Sequence, residues 1–158
     1  MALKLVRVAK GEILQASGDL NTKVYEVRSG FLCSYTIDTK GKQYIFMFAP
    51  ENWMIADVAL PEQPAQLFIE AVEDSEVIIY EKDPSITLFE KQKMRVCLAE
   101  MQTRIIMLMS EPAIKRYEHF IQTYPEIVKR VPQRMIASYL GVTPEGLSKV
   151  KSERKKER

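Results

Sequence analysis

Residues 133–151 narrow the folding options of this chain more than any other stretch. Met135, Ile136, Tyr139 and Leu140 recur at helical spacing, and Gly141 offers the left-handed residue that ends a helix. Thr143 then supplies an N-cap oxygen, and Pro144 stands at the first helical position, where a missing N–H is harmless. Leu147 and Val150 give the second helix an apolar edge, whereas Glu145, Ser148, Lys149 and Lys151 are polar. Ala137 is small enough to let two helices cross closely. Two short helices around a glycine turn, the second one polar, describe a helix-turn-helix, with an ordinary helical hairpin as the alternative.

Upstream the period changes. Short apolar runs at 23–27, 31–37, 43–48, 67–72 and 76–80 are separated by Ser17-Gly18-Asp19, Ser29-Gly30, Thr39-Lys40-Gly41 and Glu73-Asp74-Ser75. Five or more strands at this spacing over residues 4–81 predict a sandwich or a rolled barrel. Around Asp83-Pro84 the pattern shifts, and 85–109 contains neither Gly nor Pro. Leu98, Met101, Ile105 and Leu108 repeat there with spacings of three and four, a coiled-coil seam about two heptads long. Glu90, Lys91, Lys93, Arg95, Glu100 and Arg104 charge the outer faces. Such a seam has to be buried against the β part or against a second copy of the chain, and both are expected along different faces. Ser110 is expected to cap the next helix, with Glu111 and Pro112 in its first turn. Ile114, Tyr117, Phe120 and Ile121 form its apolar face, and it should end near Tyr124-Pro125.

Composition removes several function classes. With 46% hydrophobic and 28% charged residues the chain reads as globular. Its longest uncharged apolar run, 44–50, is far too short to span a bilayer, so no membrane partner is expected. Lys4, Arg7 and Lys10 interrupt any signal-peptide core, and isolated Cys33 and Cys97 read as reduced thiols, so a cytoplasmic location is expected. Two cysteines and the single His119 are too few for a thiolate or imidazole metal centre; no metal and no cofactor is expected. Ser17, Ser29 and Ser34 have no candidate base nearby, so the chain is not expected to be an enzyme. The net charge of +2 hides a division: from Pro112 onward 11 Lys/Arg face 5 Asp/Glu, a net +6, leaving 12 against 16, or −4, for the rest. A basic segment carrying a helix-turn-helix points to a polyanion.

Four segments taken together resemble the cyclic-AMP-receptor and fumarate–nitrate-regulator (Crp/Fnr) family of transcription regulators. They are Lys-Gly-Glu-Ile-Leu-Gln-Ala-Ser-Gly-Asp (10–19), Tyr-Glu-Val-Arg-Ser-Gly (25–30), Ala-Val-Glu-Asp-Ser-Glu-Val (71–77) and Ile-Ala-Ser-Tyr-Leu-Gly-Val-Thr-Pro-Glu-Gly-Leu-Ser-Lys (136–149). The resemblance implies an α+β fold. A double-stranded β-helix, a cyclic-nucleotide-binding-like β-roll, would occupy 1–84, a dimerisation helix 85–109, and a helix-turn-helix DNA-binding domain 110–158. It further implies a homodimer reading a near-palindromic site through a recognition helix at 143–151, with the dimer held by Leu98, Met101, Ile105 and Leu108. Double-stranded DNA and a second copy are the expected partners, with RNA polymerase and an unidentified small-molecule effector as further candidates. Glu145 would accept from cytosine N4 and Lys149 would donate to guanine O6/N7, while Arg134, Thr143, Ser148 and Lys151 would hold phosphates. Pro144 stands where members of the family carry a base-reading arginine, so the DNA site should differ from theirs.

The ligand region departs from the family further. Members that bind cyclic nucleotides carry a glycine–glutamate pair and a later arginine in a phosphate-binding cassette. Here Glu51 matches the glutamate, and Ala65 or Gln66 stands at the arginine position. From 43 to 81 there is no Lys or Arg, against eight acids. A cyclic phosphate would meet negative charge without a bidentate partner, so control by cyclic AMP is not expected. Phe46, Phe48, Glu51, Asn52, Trp53 and Gln66 are the candidate lining of an effector pocket, with plain core as the alternative for the aromatics. The competing function is a small-molecule sensor or adaptor of the same fold with weak or non-specific DNA binding. The tail Lys-Ser-Glu-Arg-Lys-Lys-Glu-Arg (151–158) has no apolar face for a two-stranded wing. It should extend the recognition helix or add non-specific phosphate attraction.

Overall fold

The computed structural model describes residues 4–82 and 88–156, with the backbone alone described at 88–90 and 93. The expected pattern change at Asp83-Pro84, the helix start at Ser85, and tail residues Glu157 and Arg158 lie outside the described residues, as do the side chains of Glu90 and Lys93. The chain divides into two compact units, Met1–Lys82 and Asp83–Arg158.

Alternation of apolar and polar residues builds eight strands among the described residues of the first unit. These are β1 (Lys4–Val8), β2 (Ile13–Gln15), β3 (Val24–Ser29), β4 (Leu32–Ile37), β5 (Gln43–Ala49), β6 (Met54–Ala56), β7 (Phe68–Ala71) and β8 (Ser75–Tyr80). The five expected runs become β3, β4, β5, β7 and β8, and β1, β2 and β6 are additional. Two four-stranded antiparallel sheets result, in the orders β1-β8-β3-β6 and β2-β7-β4-β5. Between them lie Val8, Tyr25, Val27, Leu32, Ala49, Ile55, Ile69, Ala71 and Val77, drawn from both sheets, with Leu14, Met47 and Trp53 packed at the margin. Each fully buried aliphatic side chain in this layer contributes about 1.5–3 kcal/mol of transfer free energy.

One corner of the roll admits only glycine. Gly30, between β3 and β4, has φ +89°, and a Cβ there would lie 2.2 Å from Ser75 Oγ and 2.7 Å from the Asp74 carbonyl oxygen. The Ser75 hydroxyl accepts the Phe31 N–H at 2.9 Å and donates to the Glu73 carbonyl at 2.7 Å, stitching this corner to the 73–75 turn.

The second unit is helical: α1 (Leu88–Ser110), α2 (Ala113–Thr123), α3 (Ile127–Arg130), α4 (Gln133–Leu140) and α5 (Pro144–Lys156). Tyr117 and Phe120 of α2, Ile127 of α3, Ile136, Ala137 and Leu140 of α4, and Leu147 and Val150 of α5 are buried. The expected cap at Ser110 is corrected. Ser110 is the last residue of α1, its hydroxyl donating to the Ile106 carbonyl at 2.8 Å, and α2 starts instead from Pro112, which has no side-chain cap. Proline's fixed φ and absent N–H make that start possible. α2 stops at Thr123, ahead of Tyr124-Pro125, as the proline demands. Among the described residues no helix is long and apolar enough to cross a membrane.

Candidate functional sites

The first site is the outer face of α5. Gly141 ends α4 in the left-handed region (φ 66°, ψ 34°), and the Val142 N–H reaches the Ala137 carbonyl at 3.0 Å. Thr143 Oγ1 then accepts the Gly146 N–H at 3.0 Å, so the N-cap forms as its residue type suggests. A Cβ on Gly146 would come within 3.3 Å of that same oxygen, so the glycine leaves the cap undisturbed. With Leu147 and Val150 turned inward, Glu145, Ser148, Lys149 and Ser152 are all exposed and share one face by their spacing. Thr143, at the start of α5, and Arg134, in the first turn of α4, are exposed too. Lys151 differs from the others. It is half-buried, and its ammonium donates to Gln133 Oε1 at 2.9 Å, tying α5 to the start of α4. Arg154, Lys155 and Lys156 occupy the last turn, where cations complement the helix dipole.

Two arginines hold the other end of α4: Arg116, which the sequence does not single out, and Arg104, which is expected on an outer face but is half-buried because it caps this helix end. Arg104 of α1 donates from Nη2 to the Tyr139 carbonyl at 3.0 Å while its guanidinium lies 3.9 Å from the centre of the Tyr139 ring. Arg116 of α2 donates from Nη1 to the Leu140 carbonyl at 3.1 Å and from Nε to the Glu111 carbonyl at 2.9 Å. The C-terminal carbonyls of a helix have no partner within it, and here guanidinium groups supply one. Tyr139 also meets Phe120 at 5.4 Å and Tyr124 at 6.2 Å between ring centres. Burial lowers the Arg104 pKa from its ordinary value and raises those of Tyr124 and Tyr139.

The expected seam on α1 is divided. Leu98 and Ile105 are 58% and 57% exposed, and Met94 and Met109 extend the same stripe; Met101 is half-buried. Leu108 turns towards the unit's own interior, its Cδ2 3.2 Å from where a Cβ on Gly141 would stand.

In the roll, the six residues expected to line a pocket lie on β5, in the turn before β6 and in the β6–β7 loop. Phe48 is fully buried but shares a register position with Cys33, on the face opposite the core residues Leu32 and Ala49, and stacks on Phe31 at 5.6 Å. Phe46 is the extra residue where the β4–β5 register slips between Met47 and Ile45, and it is 38% exposed. Pleat and bulge together turn both aromatics away from the interior. Glu51 and Asn52 lie in the turn before β6, where Asn52 has φ 68° and donates its N–H to the Val27 carbonyl at 2.8 Å. Trp53 packs on the core margin, and the Gln66 side chain is exposed. The row that does face inward is Gln15, Ile69, Ser34 and Met47. Gln15 and Ser34 are buried; Gln15 Oε1 and Ser34 Oγ have no hydrogen-bond partner among the described residues. On the opposite face Tyr35 donates to Glu70 at 2.8 Å, and burial followed by the Glu70 charge pushes the Cys33 thiol up to about 12.

The carboxylate that organises the β6–β7 loop is Asp57, which the sequence marks only as one acid among eight. It is 3% exposed. Its Oδ1 accepts the Ala59 N–H at 2.7 Å, and its Oδ2 accepts the N–H groups of Gln66 and Leu67, each at 2.9 Å. Lys82 donates to the Ala59 carbonyl at 2.6 Å and to Thr22 Oγ1. Burial lowers the Lys82 pKa and the charge of Asp57 opposes that shift, so the acidic stretch draws its cation from just beyond its end. Facing this loop, Gly18 donates to the Ala65 carbonyl at 2.8 Å and Ala65 donates back to Asp19 at 2.9 Å. No group of three or more His, Cys, Asp or Glu among the described residues is placed to hold a metal ion.

The family profile described as "cyclic nucleotide-binding domain" matches residues 5–92. Electron transport regulator A of Shewanella oneidensis is 28% identical over 90% of this chain, which spans 65% of that protein's length. Among solved structures, FixK2 from Bradyrhizobium japonicum superimposes with a TM-score of 0.83 at 19% identity, covering 99% of this chain and 86% of that one. A CRP/FNR-family transcriptional regulator from Thermus thermophilus superimposes with a TM-score of 0.81 at 20% identity, covering 98% of this chain and 87% of that one. At such identities these structures share the fold.

Proposed function

The chain belongs to the cyclic nucleotide-binding domain family, and from that premise we propose that it is a DNA-binding transcription regulator of the Crp/Fnr type acting in the cytoplasm. The observation that carries this reading is the outward face of α5. A capped N-terminus presents Glu145, Ser148 and Lys149 side by side, with Leu147 and Val150 anchoring the helix from behind. As a helix-turn-helix, α4 and α5 would place that face in the major groove, with Thr143 and Arg134 on the flanking phosphates. The exposed apolar stripe Met94, Leu98, Ile105 and Met109 supports a homodimer closed along α1, which would set two recognition helices on a near-palindromic site. Residues 1–84 would act as sensor, 85–109 as dimerisation helix and 110–158 as reader of DNA. Cyclic AMP would not be the effector, because no arginine stands in the cassette region to pair its phosphate.

Selection of bound sequences from a pool of random duplexes, repeated over a salt series, tests this directly. The expected result is a two-fold symmetric motif with half-sites about 10 base pairs apart. Lys149→Ala and Glu145→Ala should each relax one position of it, by about 1–3 kcal/mol of discrimination. Binding without a motif that vanishes at moderate salt would defeat this reading, leaving only the basic last turn of α5 at work. The second reading, a small-molecule sensor or adaptor with weak DNA binding, is favoured by the open hydrogen-bonding capacity of Gln15 and Ser34 inside the roll.

A further inference from the structure

We propose that the β6–β7 loop contains an oxyanion cradle whose permanent occupant is the chain's own Asp57 carboxylate. Three main-chain N–H groups, from Ala59, Gln66 and Leu67, converge on this carboxylate at 2.7–2.9 Å. Convergent backbone N–H groups with a cation alongside form a recurring receptor for carboxylate and phosphate oxygens. Here the cation is Lys82, held against the same loop through the Ala59 carbonyl and Thr22. Both oxygens of the aspartate are engaged, and the group is 3% exposed, so an external anion finds these three donors already taken. The donors come from the two ends of the loop, Ala59 near its start and Gln66 and Leu67 at its close. The carboxylate therefore does what a bound ligand would do: it holds the loop in one shape.

This closure extends the reading of the roll as free of cyclic-AMP control. The ligand class excluded from this cradle is any small oxyanion, whether free phosphate or the phosphate of a nucleotide. The loop shape is supplied in advance, so no phosphate-bearing effector is needed to order it.

The full-length chain tests this by anion rescue. Asp57→Ala should lower the thermal midpoint, and sodium formate, which replaces the group removed, should raise it again saturably by roughly 5 °C over sodium chloride of equal ionic strength. Inorganic phosphate, being larger, should rescue less, and cyclic AMP least. Wild-type protein should respond to none of them beyond chloride. A folded Asp57→Ala protein that responds to formate only as to chloride would overturn the proposal. So would saturable binding of phosphate or cyclic AMP by the wild type. Should Asp57→Ala not fold, Asp57→Asn keeps the shape and replaces one acceptor oxygen by a donor. Amide hydrogen exchange at Ala59, Gln66 and Leu67 should then accelerate at least about tenfold over wild type while the β3 and β8 amides stay protected. Unchanged exchange at all three would equally overturn the proposal. No DNA enters these measurements, so the cradle and the reading of DNA can fail separately.

Discussion

Replacing Arg104 with methionine removes one charge and two contacts while keeping most of the side-chain length. A hydrogen bond from a charged donor is worth about 1.5–3 kcal/mol, and the one lost here is the 3.0 Å bond to the Tyr139 carbonyl. The guanidinium 3.9 Å above the Tyr139 ring adds about 0.5–2 kcal/mol. Desolvation works against both, as the lowered pKa of Arg104 shows. The net loss expected for Arg104→Met is therefore about 2 kcal/mol. Tyr139→Leu removes the ring and leaves the carbonyl, so a double-mutant cycle between the two isolates the stacking, with an expected coupling of about 1 kcal/mol. Urea unfolding followed at 222 nm weights the helical unit, while Trp53, the single tryptophan of the chain, reports the roll as an internal reference. A coupling within about 0.3 kcal/mol of zero would refute the claim that the cation and the ring stabilise each other.

Gly30→Ala should cost more than about 3 kcal/mol, since the new methyl would meet Ser75 Oγ at 2.2 Å, whereas Gly41→Ala, with nothing within 4 Å, should cost about 1–2 kcal/mol for its positive φ alone. Soluble yield and Trp53 fluorescence melts would distinguish the two, and equal losses would refute the steric account. The Cys33 thiol stays protonated to about 12 in the fold but ionises near its ordinary 9.0 when unfolded. The unfolded chain thus loses its proton first, and stability should fall as pH rises from 9 towards 12, at up to about 1.4 kcal/mol per pH unit. Cys33→Ala should reduce that fall between pH 9 and 10, leaving the contribution of Cys97, whose pKa burial also raises, before the buried tyrosines, whose ordinary value is 10.0, begin to contribute; an unchanged slope would count against the assignment. Finally, Leu98→Glu and Ile105→Glu should convert a dimer to a monomer in sedimentation velocity, and a wild-type chain that sediments as a monomer at high concentration would remove the stripe's assigned role.

Much of this organisation was legible in local residue chemistry. Gly141, Thr143 and Pro144 act within their own turn, so their roles could be read without knowing what surrounds them. Strands β3, β4, β5 and β8, at six or seven residues, were visible because alternation needs several residues to show, and four-residue β7 stood out as an apolar run between turn residues. β2 and β6, at three residues each, are too short to carry a period. The placement of Phe46 was hidden for a reason of register: one bulged residue there changes which face follows it, and no spacing rule announces a bulge. Asp57 and Arg104 were missed on other grounds. Their partners are main-chain groups two, nine and ten residues away in one case and 35 in the other, and a backbone N–H or carbonyl has no signature in the sequence. Periodicity also favours apolar positions, so an arginine beside the Leu98–Ile105 stripe was counted as surface. A charged residue placed three or four positions from a seam, with aromatic residues waiting elsewhere in the chain, is the signal that was available.

The order of strands also sets a timetable for synthesis. Lys4 lies opposite Ile79 and Ile13 opposite Glu70, so neither sheet can be sealed until nearly the whole first unit has left the ribosome. At 5–20 residues per second, β3 and β4 wait roughly 2–10 s for their neighbours β8 and β7, with open edges throughout. The contacts of α2, α4 and α5, by contrast, are spread over a short length of chain and can form soon after it emerges. A ribosome that stalls before Tyr80 therefore releases a half-built roll, a natural client for chaperones and proteases. One that passes it completes the roll just as α1 begins to appear.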